Sequence, residues 1–207
     1  MMSFISYFIN GLSLGSVYAI IALGYTMVYG IAKMLNFAHG DVIMIGGYVV
    51  FTVVSTMGLP PLAGILLAVI ICTVLGVTIE KVAYRPLRMA SPLAVLITAI
   101  GVSYLLQNIA LLVFGSNPKS FTSVVTIPAL KLAGGRLTIS GETLVTIVSC
   151  IVIMVVLTTF IKKTKAGQAM LAVSEDKGAA QLMGINVDGT IALTFAIGSA
   201  LAAIAGT

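Results

Sequence analysis

Long apolar blocks dominate the chain. Six of them approach the length of about 20 residues that a helix needs to cross a bilayer. Apart from Asp41 at one margin, these blocks contain no Asp, Glu, Lys or Arg; they are residues 4–30, 41–59, 62–79, 93–114, 143–161 and 190–207. A membrane β-barrel would need alternating segments of about 10 residues instead. The pattern therefore predicts an all-α polytopic transmembrane bundle of about six spans, in one membrane domain over residues 1–207.

The composition agrees with a membrane protein. The chain is 59% hydrophobic and only 8% charged, whereas soluble domains carry roughly 25% charged residues. Cys72 and Cys150 lie inside apolar blocks without a CxxC partner or a nearby His, which favours buried apolar side chains over a metal site. The net charge of +5 is interpreted as loop charge and not as a nucleic-acid surface.

The basic residues predict the orientation in the membrane. With six crossings, eight basic residues fall in the connections on one side and three on the other. The positive-inside rule places the richer side in the cytoplasm, so that the amino terminus and the connection 115–142 are external. Within that connection, residues 131–139 are typical either of a hairpin around Gly134 and Gly135 or of an irregular loop.

Small residues and the end of the chain give two further expectations. Gly11, Gly15 and Ala19 repeat at four-residue spacing in the first span, as do Gly198, Ala202 and Gly206 in the sixth. Such spacing lets helix backbones approach closely in lipid, so we expect packing faces there. The last apolar run stops at Thr207 without a polar tail, and we expect the chain to be the amino-terminal part of a longer one.

A polar segment joins the first two spans. The sequence Asn36-Phe-Ala-His-Gly-Asp41 holds the one His of the chain, and Gly46 and Gly47 follow it. Polar groups at membrane depth usually face a cavity, and a helix interrupted by glycine can line a substrate path. One interpretation is a span broken near residues 36–47, with Asn36, His39, Gly40 and Asp41 on the substrate pathway. The other is an ordinary cytoplasmic turn. One His and one Asp do not complete a metal site.

A second segment, 174–184, lies in the longest predicted cytoplasmic connection. Ser174 can cap a helix with Glu175 and Asp176 in its first turn, and Gly184 suits the position after its end. Ala179, Ala180, Leu182 and Met183 would form an apolar stripe. A helix this short is marginal alone, so we expect the stripe to pack either on the bundle or on a cytoplasmic partner.

These segments resemble the first inner-membrane permease of branched-chain amino acid ABC importers. The resemblance runs in order over essentially the whole chain. Its motifs are Leu23-Gly-Tyr-Thr-Met-Val-Tyr-Gly30, Met34-Leu-Asn-Phe-Ala-His-Gly-Asp41, Ile79-Glu-Lys-Val-Ala-Tyr-Arg-Pro-Leu-Arg88, Thr98-Ala-Ile-Gly-Val-Ser103, Ser174-Glu-Asp-Lys177, Leu182-Met-Gly-Ile-Asn186 and Ile191-Ala-Leu-Thr-Phe195. Urea and short-amide permeases of the same superfamily share an Asn-x-Ala-His-Gly-acidic stretch, so they remain the alternative.

The resemblance implies a multi-pass subunit of a bacterial or archaeal plasma membrane that works by alternating access. Its implied partners are a second related permease, two cytoplasmic ATPases, an extracytoplasmic amino-acid-binding protein and membrane lipid. The region of Glu175, Asp176, Ala180, Leu182, Met183 and Gly184 is similar to the segment that couples such permeases to the ATPase. ATP would be used by the partners, because this chain has no Gly-x4-Gly-Lys-Ser/Thr loop. We therefore expect no cofactor and no catalytic residue in this chain.

Two other classes of membrane protein remain as rivals. A self-contained secondary transporter would favour ionisable residues within its spans, and only Asp41 qualifies, at a margin. An intramembrane enzyme would need a nucleophile beside His39 or a pair of carboxylates, and the sequence shows no Ser close to His39.

Overall fold

The structure is a computed structural model that describes residues 2–119, 130–132 and 137–207. Eight α-helices and two short strands follow one another in the described residues. They are α1 (Met2–Ala32), α2 (His39–Phe51), α3 (Pro61–Ile79), α4 (Pro92–Phe114), β1 (Leu130–Leu132), β2 (Leu137–Ile139), α5 (Gly141–Lys163), α6 (Lys165–Glu175), α7 (Lys177–Leu182) and α8 (Val187–Ala205). A π-helical turn, Thr52–Thr56, extends α2. A π-helical turn, Glu80–Tyr84, and a 3-10 turn, Arg85–Leu87, extend α3.

Six helical stretches among the described residues are long and apolar enough to cross a membrane. They are Phe4–Ala32, His39–Thr56, Pro61–Leu87, Pro92–Phe114, Gly141–Lys163 and Val187–Ala205. The predicted all-α bundle of six spans is therefore confirmed. The third span is longer than predicted, because its helix continues past Ile79 through charged residues that the apolar pattern had placed in a loop.

The helix starts follow local chemistry. The side chains of Ser91, Ser140, Thr164 and Asn186 each accept a hydrogen bond from a backbone amide in the first turn of the following helix. Such caps satisfy amides that have no partner inside the helix.

Helix α8 forms the centre of the bundle. Half of its span is buried, compared with 6% of the span in α5. It packs against α1, α2 and α3, and the largest fully buried side chains include Phe195 and Ile191 from α8 and Tyr84 from the end of α3. Apolar faces of α4 and α5 lie on the outside of this chain, as expected for helices surrounded by lipid or by other subunits.

Small residues set the closest helix contacts. A Cβ atom at Gly24 would lie 3.1 Å from the carbonyl oxygen of Gly198, and one at Gly46 would lie 3.1 Å from the Cα of Ala203. The packing face predicted on α8 is thus confirmed at Gly198. The face predicted at Gly11 and Gly15 makes no close contact within the described part of the chain, where no atom lies within 4 Å of a Cβ built at either position, so it stays a prediction. On α1 the close approach occurs nearer the carboxyl end of the helix, at Gly24.

The two strands of the predicted hairpin are present. β1 and β2 pair antiparallel, with Leu130 opposite Ile139 and Leu132 opposite Leu137. This register is centred on Gly134 and Gly135, as predicted. The turn itself lies outside the described residues.

Candidate functional site

Residues 33–38 connect α1 to α2 without forming a helix or a strand. Their burial alternates: Met34, Asn36 and Ala38 are buried, whereas Leu35 and Phe37 are exposed. The connection ends in a turn, in which the amide of His39 donates to the carbonyl of Asn36 at 3.2 Å. The backbone break therefore lies before His39, not at the glycines. Gly40, Gly46 and Gly47 are all helical residues of α2, so the helix is not interrupted at any of these three glycines.

His39 lies inside the bundle, between α1 and α8. A Cβ at Gly24 would be 3.1 Å from Cε1 of His39 and equally close to Gly198. Gly24 precedes the last residue of α1, Ala32, by eight positions, which is about 12 Å at 1.5 Å per residue. Since Gly198 also lies near the middle of α8, α2 begins well inside the bundle. The segment 33–38 must therefore turn back into the membrane domain beside α1.

Buried polar side chains lie around the start of α2. Asn36, His39 and Asp41 are 5%, 4% and 6% exposed. The hydroxyl of Tyr84 donates a hydrogen bond to Oδ1 of Asn36 at 3.1 Å. This contact ties the re-entering segment to the end of the third span, and it accounts for one of the buried polar groups.

Asp41 faces the fourth span. Nε2 of Gln107 donates to Oδ1 of Asp41 at 3.0 Å and lies 3.2 Å from Oγ of Ser103. Oδ2 of Asp41 and Nε2 of His39 are buried and have no hydrogen-bond partner among the described residues. Buried polar atoms are normally satisfied, so both atoms can bond a ligand or a water. The alternative of an ordinary solvated turn does not fit this burial.

The predicted coupling segment contains two helices instead of one. Ser174 lies inside α6, where its hydroxyl donates to the carbonyl of Leu171 at 2.6 Å. Glu175 is the last residue of α6. Asp176 is the cap of α7, and its Oδ1 accepts from the amides of Gly178 and Ala179 at 2.7 and 3.0 Å. The predicted helix start at Ser174 is wrong, since Asp176 offers two cap bonds at once.

The predicted end of that helix is confirmed. Gly184 has a φ of 82°. Its amide donates to the carbonyl of Gln181 at 3.0 Å, and the amide of Ile185 donates to the carbonyl of Ala180 at 3.0 Å. This pair of bonds is the Schellman motif, which requires a residue in the left-handed region and so favours glycine.

The expected apolar stripe is divided. Ala180 is 4% exposed and belongs to the interior of this chain, which corrects its assignment to a partner-facing surface. Leu182 and Met183 are 89% and 82% exposed. Two large apolar side chains side by side at the end of α7 are therefore available to a partner protein.

An ion network that sequence reasoning missed joins the third and sixth spans. Arg88 donates to Oε1 of Glu80 and to Oδ1 of Asp188, and Nη2 of Arg85 donates to Oδ2 of Asp188 at 2.6 Å. Glu80 is only 1% exposed at its side chain and Arg88 13%. The spacing of eight residues between Glu80 and Arg88, two turns along one helical face, was the one available signal.

Lys177 was also missed. Its ammonium donates to the carbonyl oxygen of Ala32, the last residue of α1, at 2.7 Å. A cation at a helix carboxyl end is favourable because it meets unpaired carbonyls. Burial lowers the pKa of Lys177, and the nearby cations Arg88 and Lys33 lower it further. This contact links α7 directly to the residue that precedes the re-entering segment.

The described residues contain no group of three or more His, Cys, Asp or Glu side chains that could hold a metal ion. Tyr25 meets the His39 ring edge-on, with centroids 5.9 Å apart. The arrangement is thus a set of buried polar groups between helices.

Comparisons with known proteins agree with this architecture. Residues 7–207 match the family described as branched-chain amino acid transport system / permease component. The chain is 43% identical over 98% of its length to the high-affinity branched-chain amino acid transport system permease protein LivH of Salmonella typhimurium, covering 69% of that protein. It is also 43% identical over 95% of its length to BraD of Pseudomonas aeruginosa, a permease protein of the same description, covering 67% of it.

A more distant relative has the same description. A probable branched-chain amino acid transport permease protein, LivH of Methanocaldococcus jannaschii, is 28% identical over 90% of the chain and is covered to 60%. No solved structure matches the chain. The matched family, the identities and the six spans lead to one conclusion: the chain belongs to the family of permease components of branched-chain amino acid transport systems.

Proposed function

We propose that this permease moves leucine, isoleucine or valine across the membrane by alternating access, as one of two related permeases driven by two cytoplasmic ATPases. An extracytoplasmic binding protein delivers the amino acid. The names of the relatives supply the substrate class. In this scheme ATP is hydrolysed by the partner subunits, and this chain converts their movement into a change of the open side.

One observation carries the proposal: the segment 33–38 re-enters the bundle and places Asn36, His39 and Asp41 in its interior. A pathway for an amino acid needs polar groups at membrane depth, and such groups are costly anywhere else. The free oxygen of Asp41 offers an acceptor to an ammonium group.

The structure also suggests how ATPase movement could reach that segment. Lys177 in α7 holds the carbonyl of Ala32, and the segment begins at the next residue. A partner that docks on Leu182 and Met183 and moves α7 would therefore also move the end of α1 and residues 33–38. A partner shifts such an equilibrium only if it binds the two states with different affinity.

The proposal predicts a loss of transport when the buried polar groups are removed. Asp41→Ala and Asn36→Ala should each lower leucine uptake by the reconstituted transporter at least about tenfold, the effect of losing roughly 1.4 kcal/mol in a binding or transition state. The exposed neighbour Phe37, changed to Ala, is the matched control and should retain uptake.

Uptake is measured in proteoliposomes at equal protein abundance, with isoleucine, valine, urea and acetamide as competitors. Competition by the two amino acids supports the branched-chain substrate, and competition by urea or acetamide alone overturns it. Normal uptake by both alanine variants would remove the segment from the pathway.

A separate prediction concerns orientation. The charge asymmetry favours an external amino terminus, with 81–91 and 162–189 in the cytoplasm. A cysteine placed at Lys165, at the start of α6, should resist a membrane-impermeant maleimide in intact cells and react after lysis. A cysteine at Lys119, which follows α4, should react in intact cells. The reverse pattern would invert the topology.

A further inference from the structure

A cationic cavity lies where the end of α1, the start of α4 and α7 meet. Its volume is about 330 Å³. Three basic side chains line it: Lys33, Arg88 and Lys177. The other lining residues include Tyr29, Pro92 and Val95 of the spans. No carboxylate belongs to the described residues that line this cavity.

The positive charge in the cavity is not balanced within the described residues. Arg88 contacts the carboxylates of Glu80 and Asp188, and Arg85 also contacts Asp188, so this group of four is neutral by itself. Lys33 and Lys177 form no salt bridge in the part of the chain that the structure describes. Burial lowers the pKa of Lys177, and the positive charges of Arg88 and Lys33 lower it further, so Lys177 is repelled by both neighbouring cations. An anion in the cavity would relieve that repulsion.

The backbone at Lys33 is an independent sign of a constrained site. Lys33 has a φ of 57°, and it is the one non-glycine residue with a positive φ in the described part of the chain. This conformation is costly for a residue with a Cβ and usually persists where the surrounding structure needs it. It also sets where the chain leaves α1, directly beside the cavity.

We propose that this cavity binds the phosphate group of an anionic phospholipid. A phosphate offers several oxygen acceptors to Lys33, Lys177 and Arg88, which line the cavity together. A lipid suits the site better than free phosphate because Tyr29 and Val95 continue the wall along membrane-spanning helices, where an acyl chain can lie. Basic pockets between spans at the cytoplasmic surface bind anionic head groups in this way.

The test uses the detergent-purified protein and does not depend on transport. Thermal melting is followed with added phosphatidylglycerol, with phosphatidylcholine and with inorganic phosphate, and bound lipid is counted by native mass spectrometry. We expect phosphatidylglycerol alone to raise the melting temperature and to remain bound.

The double variant Lys33→Gln/Lys177→Gln should weaken phosphatidylglycerol binding about 30-fold, the effect of removing two basic groups from an anionic lipid contact. Lys163→Gln, an exposed basic residue at the end of α5, should leave it unchanged. The single variant Lys33→Gln, whose exposed side chain has no salt bridge to lose, should give an intermediate loss and guards against misfolding of the double variant.

Three outcomes would overturn the proposal. Equal stabilisation by phosphatidylcholine would mean no anion site. Equal stabilisation by inorganic phosphate would assign the cavity to a free anion. Unchanged phosphatidylglycerol binding in both the single and the double lysine variants would place the lipid elsewhere.

Discussion

Replacing Arg88 by Met should destabilise the protein by about 3–5 kcal/mol, the usual cost of removing one partner of a buried ion pair. The side chain of Glu80 is 1% exposed, so its carboxylate would keep its desolvation cost and lose its charged donor. The bond from Arg88 to Asp188 at the start of α8 would be lost as well, which leaves only the exposed pair of Arg85 and Asp188 among the salt bridges of the described residues between these two spans.

The chain provides a matched control in Arg85, which bonds the same Asp188 from an exposed position with side chains 52% and 48% exposed. Exposed pairs contribute about 0–1 kcal/mol, so Arg85→Met should have little effect. The measurement is unfolding of the purified protein in detergent, by heat and by a denaturing detergent.

A second variant distinguishes the cost of an unpaired buried charge from the cost of changed side-chain packing. Glu80→Met/Arg88→Met removes both partners, and replacing a buried pair by apolar residues is often neutral. The double variant should therefore recover most of the stability lost in Arg88→Met. If Arg88→Met and Arg85→Met melt alike, the network does not hold the third span to α8.

Replacing Leu182 by Glu should abolish most ATP-driven uptake while leaving the fold intact. Leu182 is 89% exposed, so the change costs this chain little packing. Central apolar residues of interfaces cost about 2 kcal/mol or more when truncated, equivalent to roughly 30-fold weaker binding. A charged side chain at position 182 should weaken binding at least as much as truncation would.

The control for charge alone is Gln168→Glu, an exposed position on the neighbouring helix α6. Ala180→Glu is not a suitable test, because Ala180 is buried and a buried unpaired carboxylate would damage the bundle itself. The assay compares leucine uptake and binding-protein-stimulated ATP hydrolysis in the reconstituted complex. Wild-type values for Leu182→Glu in both would show that the end of α7 does not contact the ATPase.

Much of the fold could be predicted because the membrane restricts the choices. A span needs length and apolar side chains, and both are visible in the sequence, so the six spans lie where the apolar blocks do. The end of α7 at Gly184 was predictable for a similar reason, since the left-handed C′ position favours glycine. Its start was mispredicted because Ser174 and Asp176 are both good caps and only hydrogen-bond geometry selects between them.

The sequence predicted which residues form the candidate site but not where they lie in the fold. The composition of residues 36–41 pointed to Asn36, His39 and Asp41, but equally to a solvated turn. Their burial follows from the path of 33–38 back into the bundle and from the close approach of Gly24 to Gly198. Neither feature has a local signal, because both depend on which helices are neighbours.

The sequence by itself determined the class of the protein, the number of its spans and its family, because these depend on hydropathy along the chain and on motifs in order. Only the tertiary structure decided the partners of its charged and polar groups. Tyr84 with Asn36, Gln107 with Asp41, Arg88 with Asp188 and Lys177 with Ala32 are separated by 48, 66, 100 and 145 residues. Contacts over such separations are set by how the helices pack, and periodicity along a single helix carries no record of it.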